Sequence, residues 1–442
     1  MSQRYRLRSA RARRLLQHTI AILALGAVAS GCAVGTHAEL LPDSTVKIRA
    51  VDGGTDYYSR FVPGLPSSED FFPVAVWFES VLAPRDVAMD REAGLNGYVE
   101  LTADSDLSLI DSAQMCAIVG FSAKQSSGLM LPDEVDMWAG PGSARWSGNY
   151  PGEGEICQPS GARCGYTILE TWVKDAPKGK LLYANYGKGV AFWETDQEAA
   201  QFVNQYPDVV SADAYWFTDP NICGSGEGGA GLGRNRGLTP GECRLAANYG
   251  WTTERMRSLV SPRGSKPVWN FVELGHPFSE SDAPTITAPQ IRAAVWSSII
   301  HGARGILYFN HNFGGPCISQ HVLRDACGAD IRPTVSAVNE LISTLAPVLN
   351  APFVDGLTTA TGKVDLAVKL HDGTFYVLAA STKHKSQRVT IASKCESGVT
   401  ATVLGEDRAI PIRNGTFSDT FIDGNAVHLY RIDGGDTCGV RP

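Results

Sequence analysis

No Cys-x-x-Cys pair and no cluster of histidines occurs in the chain, which removes the usual sequence signatures of a metal site. A basic stripe is missing too. Arg4, Arg6, Arg8, Arg11, Arg13 and Arg14 all precede an apolar run at residues 19–29. Without those six, the remainder of the 39 basic residues faces 46 acidic ones, a net charge of about −13. Such a surface has nothing to attract nucleic acid, so that class of partner is set aside. The apolar run is too short for a membrane-spanning helix. There are no internal repeats, and only a Gly-rich stretch near residue 230 approaches low complexity. No Gly-rich turn follows the first strand candidate, where the chain reads Trp77-Phe78-Glu79-Ser80. That omission argues against a doubly wound nucleotide-binding sheet.

What is present is ordinary for a folded protein: 43% hydrophobic, 19% charged and 9% aromatic residues. Disorder is not the default for such a chain, and 442 residues call for more than one domain. The basic region, the apolar run and the small residues before Cys32 have the order of an export signal. Ala29-Ser30-Gly31-Cys32 resembles a bacterial lipoprotein box, with Cys32 as the lipidated residue; ordinary signal cleavage is the alternative. The expected location is the bacterial cell envelope, as a lipoprotein, or the medium, with membrane contact only through the lipid. The other cysteines fit an oxidising compartment. Proximity pairs them as Cys157–Cys164, Cys223–Cys243, Cys317–Cys327 and Cys395–Cys438, and leaves Cys116 as a buried thiol.

The expected division is a signal at 1–31, a tether and lead-in at 32–65, a catalytic barrel at 66–350 and a β-sandwich at 351–442. Within the third segment, short β-branched or aromatic runs alternate with helical or loop-rich intervals. The runs are 72–78, 97–101, 116–120, 128–131, 180–186, 209–216, 267–273 and 304–310. Eight strands with helical crossovers predict an α/β fold of the (β/α)8, or TIM-barrel, type. Beyond Pro352, alternating hairpin-like segments predict the sandwich.

The chemistry concentrates at strand ends. Pro132 stops the fourth run, and Asp133, Glu134 and Asp136 follow at its C-terminal lip. Glu273 ends the seventh run, where an unpaired buried carboxylate either meets a partner or does work. Converging from strands four and seven, Glu134 and Glu273 would flank a sugar as glycosidic cleavage requires. Glu100, Tyr186, Asp213, Tyr215 and Asn310 close other strands and could contact sugar hydroxyls, while Trp77 offers an apolar face for stacking. No metal or cofactor is called for.

This placement of two glutamates after strands four and seven resembles the clan A glycoside hydrolases, over most of residues 66–350. The resemblance implies a carbohydrate substrate, Glu134 as acid/base, Glu273 as nucleophile and retention of anomeric configuration. Many members carry Asn before the acid/base glutamate, where it grips the sugar 2-hydroxyl. Here that position is Asp133, which stands as a rival acid. Two other readings use the same residues: a non-catalytic surface carbohydrate-binding protein on the same barrel, and a transglycosylase.

Overall fold

The computed structural model describes residues 46–121, 123–141, 164–395 and 399–434. The expectations placed on the leader, Cys32, Cys157 and Cys438 lie outside them. Among the described residues no helix is long and apolar enough to cross a membrane.

All eight expected barrel strands form. After a short strand β1 (Lys47–Arg49), they are β2 (Val74–Glu79), β3 (Gly97–Leu101), β4 (Cys116–Val119), β5 (Gly128–Met130), β6 (Leu181–Tyr186), β7 (Val209–Ala212), β8 (Asn270–Glu273) and β9 (Ile306–Phe309). They make one parallel sheet in the order β7-β6-β5-β4-β3-β2-β9-β8. Its two edges meet where Trp269 N donates to Val210 O (2.9 Å) and Val210 pairs with Val268, so the sheet is nearly closed on itself.

The strand period of two divides the side chains. Ala75, Trp77, Val99, Ile118, Met130, Leu181, Tyr183, Trp269, Phe271 and Leu307 fill the barrel interior. Their neighbours Val74, Val76, Tyr98, Val119, Val272 and Ile306 pack outward, in the main core shared with the helices. Burial on both faces explains why these strands read as continuous apolar runs rather than alternating ones.

The helices are α1 (Pro84–Glu92), α2 (Leu107–Ser112), α3 (Val135–Trp138), α4 (Gly165–Asp175), α5 (Asp196–Gln205), α6 (Pro240–Cys243), α7 (Ala247–Leu259), α8 (Ala288–Ile300), α9 (Arg332–Thr344) and α10 (Ala346–Asn350). Their starts are written locally. Thr195 and Glu198 cap α5 reciprocally, with Thr195 N donating to Glu198 Oε2 at 3.0 Å and Glu198 N to Thr195 Oγ1 at 3.3 Å. Pro289 stands in the first turn of α8, where no hydrogen bond is lost.

The C-terminal strands are β10 (Phe353–Asp355), β11 (Thr358–Ala360), β12 (Val364–His371), β13 (Thr374–Ser381), β14 (Gln387–Ser393), β15 (Thr400–Val403), β16 (Arg408–Pro411), β17 (Thr416–Phe421) and β18 (Val427–Asp433). They form a seven-stranded antiparallel sheet, β1-β10-β12-β13-β18-β15-β16, and a three-stranded one, β11-β14-β17. Val368, Val377, Val389, Ile391, Phe417 and Tyr430 lie in their common core, the arrangement of a β-sandwich.

The lead-in is more than a tether. Strand β1 pairs with β10 at the edge of the sandwich. Tyr57 and Tyr58 then plug the barrel floor, where Trp269 Nε1 donates to Tyr58 Oη at 3.0 Å. Two expected disulfides, Cys223–Cys243 and Cys317–Cys327, are formed, and Cys116 is a buried free thiol.

Candidate active site

The inward register of β6 and β7 builds a polar ladder toward the barrel mouth. Tyr183 Oη donates to Ser211 Oγ (2.6 Å), Ser211 Oγ to Asn185 Oδ1 (2.8 Å), and Asn185 Nδ2 to Asp133 Oδ1 (3.0 Å). Asp133 is thereby held at the end of β5. The next residue, Glu134, adopts a left-handed backbone conformation, φ +47°, and opens α3. Its carboxylate lies against Gly187, where a Cβ would stand 2.8 Å from Glu134 Oε1 and 2.2 Å from Met137 Sδ. No larger residue fits at 187 without moving the glutamate.

The carboxyl groups of Asp213 and Glu134 are hydrogen-bonded to each other, and Tyr215 Oη donates to Asp213 Oδ2 at 3.3 Å. Burial raises the Asp213 pKa far above the carboxylate range, with the charges of Glu134, Asp133 and Asp136 adding to it. Burial also raises Glu134, opposed by the hydrogen bond from Asp213 and the charge of Lys188. In this pair Asp213 is the proton donor and Glu134 the acceptor. Asp133 is pushed up to about 8, chiefly by burial and then by Glu134. Asp136 has a different role. Fully buried, it accepts from Gly187 N (3.1 Å) and Val190 N (2.8 Å), and so pins the turn that carries Lys188. The Lys188 ammonium is itself committed to Asp219 (2.6 Å) and Glu227 (2.8 Å).

Glu273 shares the inward parity of Trp269 and Phe271, and it is fully buried. Tyr249 Oη, from α7, lies 2.6 Å from both of its oxygens, and Thr218 Oγ1 donates to Oε1 at 3.1 Å. Burial pushes its pKa up to about 7, against the pull of these two donors. In the ring of strands β5 and β8 are separated by β6 and β7. Tyr215 follows β7 and feels the charges of Asp213, Glu134, Asp133 and Glu273 alike. Both glutamates therefore lie within electrostatic reach of one phenol.

The other expected contacts divide. Trp77 lies inside the barrel, edge-to-face with Phe271 at 5.4 Å. Glu100 accepts from Leu101 N and Gly120 N, both at 3.1 Å, and a Cβ on Gly120 would stand 2.3 Å from its Oε2. Tyr186 needs correction: the strand period turns it outward, and its hydroxyl donates to Phe202 O (2.8 Å) in the helix layer. Asn310 is also internal. Its amide donates to Glu79 and its carbonyl accepts from Leu323 N at 2.9 Å, so it fastens the loop after β9.

Glu79, Asn185, Lys188 and Tyr249 were not expected. Glu79 ends its strand as Glu273 does, a signal available in the sequence; it accepts from His321 Nδ1 (2.5 Å) and Arg324 Nη1 (3.2 Å). Asn185 shares the inward parity of Leu181 and Tyr183, which could also have been read. Tyr249 is a helix residue among other aromatics and gives no such sign. Among the described residues no group of three His, Cys, Asp or Glu side chains is arranged to hold a metal ion.

No protein-family model matches the chain, and no curated protein matches it either. Several solved structures align with most of it at low similarity. A glycoside hydrolase family 5 protein from Bacteroides vulgatus is 11% identical, covering 82% of this chain and 90% of its own, with a TM-score of 0.46. A GH30 endoxylanase from Clostridium papyrosolvens is 12% identical, covering 88% and 100%, with a TM-score of 0.38. An Anoxybacillus alpha-amylase is 10% identical, covering 83% and 98%, with a TM-score of 0.40.

Proposed function

We propose that the protein is an exported glycoside hydrolase that cleaves a polysaccharide or oligosaccharide with retention of configuration. The observation that carries this reading is the unequal setting of two carboxyl groups around Tyr215. Glu134 belongs to a hydrogen-bonded acid pair that retains a proton. Among the described residues Glu273 is hydrogen-bonded to no other carboxyl group and receives two hydroxyl donors, which favour its anion.

On this reading cleavage runs in two displacements. The one proton of the Asp213–Glu134 pair passes through Glu134 to the glycosidic oxygen, leaving both carboxyl groups ionised, while a Glu273 oxygen attacks the anomeric carbon. The glycosidic C–O bond breaks and a glycosyl ester forms on Glu273. Glu134, now anionic, takes a proton from water, and the resulting hydroxide displaces Glu273 from the sugar. Environment assigns the two roles, as pKa tuning does in other paired-acid sites. The signal-like leader and Cys32 support an envelope address for this activity, with lipid as the anchor.

The test is reducing-sugar release by the intact protein across envelope and plant polysaccharides, beside Glu134→Gln and Glu273→Gln. Each variant should lose about 10³-fold in kcat, and NMR of the first-formed product should show the substrate's anomer. Inverted product would overturn the nucleophile assignment. Activity that survives either variant would move the chemistry elsewhere, with Asp133 as the first alternative acid. Glycan binding without release in any form would favour the carbohydrate-binding reading.

A further inference from the structure

Three large rings stand exposed at the barrel mouth, outside the carboxyl groups used above. Phe78 is 41% exposed, Phe313 47% and Trp138 56%, and none is loose. Phe78 is the one exposed residue of β2, and it holds φ +52°, a conformation that a bulky side chain seldom adopts. Strain of this kind persists where the surroundings enforce it. Here His311 Nε2 lies 3.0 Å from Phe78 O, and the His311 ring meets Phe78 at 5.9 Å and Phe313 at 5.7 Å, both edge-on. Phe309 backs His311 at 5.1 Å and Phe313 at 6.1 Å. On Trp138 the indole N–H is anchored to Asp133 O at 2.7 Å.

Barrel order places these rings on two sides. Trp138 follows β5, and Phe313 follows β9, four strands away in a ring of eight; Phe78 lies on β2, the neighbour of β9. Fixed aromatic faces are suited to the C–H faces of sugar rings, because they lose little freedom on contact. The mouth is also lined by carboxyl groups, those of Asp133, Glu134, Asp213 and Glu273, which offer an anionic chain no cationic partner. Of the nearby cations, Lys188 is held by Asp219 and Glu227 and Arg324 by Glu79 and Asp90, while Arg244 donates to Trp216 O and lies in the field of Glu273 and Asp219. A polyanionic chain would meet the anions of the Glu134 pair and of Glu273 there, with neither Lys188 nor Arg324 free to offset them.

We propose that Phe78 and Phe313 on one side, and Trp138 on the other, are stacking platforms for sugar units beyond the scissile bond. The substrate is then an uncharged glycan several units long that crosses the mouth. This deepens the hydrolase reading and rests on it for the position of the cleaved bond.

The test is affinity electrophoresis and calorimetry with the intact protein in its Glu273→Gln form, so that binding is read without turnover. The probes are neutral β-glucan, xylan and galactan, anionic pectate and alginate, and the disaccharide and hexasaccharide of each neutral polymer. At least one neutral polymer should retard the protein while the anionic ones do not, and hexasaccharide should bind more tightly than disaccharide. Phe313→Ala, Trp138→Ala and Phe78→Leu, each checked by thermal melting, should each weaken hexasaccharide about tenfold, with a smaller loss for disaccharide. Equal affinity for both lengths, preference for pectate or alginate, or ring variants that bind as the parent does would each overturn the proposal. The hydrolase reading fails separately, through surviving activity in Glu134→Gln or Glu273→Gln.

Discussion

Asp213 donates a hydrogen bond to Glu134 from a carboxyl group whose proton is retained far above the usual carboxylate range. Two acids so close cannot both ionise without mutual repulsion, so the pair holds on to one proton above the usual carboxylate range. In the proposed mechanism that proton is the one delivered to the leaving oxygen. Asp213→Asn keeps a donor toward Glu134 but removes the reservoir and the like charge. Glu134 should then titrate at lower pH. The alkaline limb of the kcat/KM profile should shift toward acid by about one unit or more. A limb that stays in place would show that the proton comes from elsewhere.

Tyr249 acts on the opposite limb. Its hydroxyl lies 2.6 Å from both oxygens of Glu273, and this hydrogen bond lowers a pKa that burial pushes up to about 7. Tyr249→Phe removes the donor, so the Glu273 anion forms only at higher pH. The acid limb should move upward, and kcat/KM at pH 6 should fall about tenfold or more while the loss at pH 8 is smaller. Phe217 N also loses its acceptor, the Tyr249 hydroxyl at 3.1 Å, which should cost about 1 kcal/mol of stability. A uniform loss across pH would mean that the tyrosine only supports packing.

Asp133 gives a stability effect of predictable sign. Its pKa of about 8 in the fold, raised by burial and by Glu134, compares with about 4 for an unfolded chain. The folded protein therefore binds more protons between those values, and this group's contribution to stability is lost as pH rises from about 4 to 8. Asp133→Asn keeps an acceptor for Asn185 Nδ2 and removes the titration. Its melting temperature should match the parent near pH 4 and exceed it at pH 8, by about 1–3 °C for a chain of this size. A variant less stable at pH 8 would mean that the Asp133 anion is satisfied in the fold.

The period of two explains much of what the sequence disclosed and what it hid. All eight barrel strands were readable as buried apolar runs, as were the strand ends carrying Glu134, Asp213 and Glu273. Whether a strand-end side chain turns inward is a question of parity, and parity sent Tyr186 into the helix layer. The donors to Glu273 come from α7 and from the segment after β7, so no local spacing could announce Tyr249 or Thr218. Strands β10 and β11 have three residues each, too few to show a period by themselves. Strand β16, Arg408–Pro411, is half exposed and ends in proline, as befits its edge position.

The Cys223–Cys243 bridge ties the outer part of the site to its core. It closes a separation of 20 residues that includes Glu227, one of the two carboxylates on Lys188. Just before it lie Thr218, a donor to Glu273, and Asp219, the other partner of Lys188. Cross-linking a loop of this length removes unfolded-state freedom amounting to roughly 3 kcal/mol. The double variant Cys223→Ser, Cys243→Ser should unfold at lower denaturant concentration by a margin of that order. Because Thr218 is held less firmly, kcat should also fall, though by less than the roughly 10³-fold expected for removing Glu273 itself. Denaturant titration and single-turnover kinetics on the same preparation separate the two effects. Stability lost with kcat intact would confine the bridge to holding the fold.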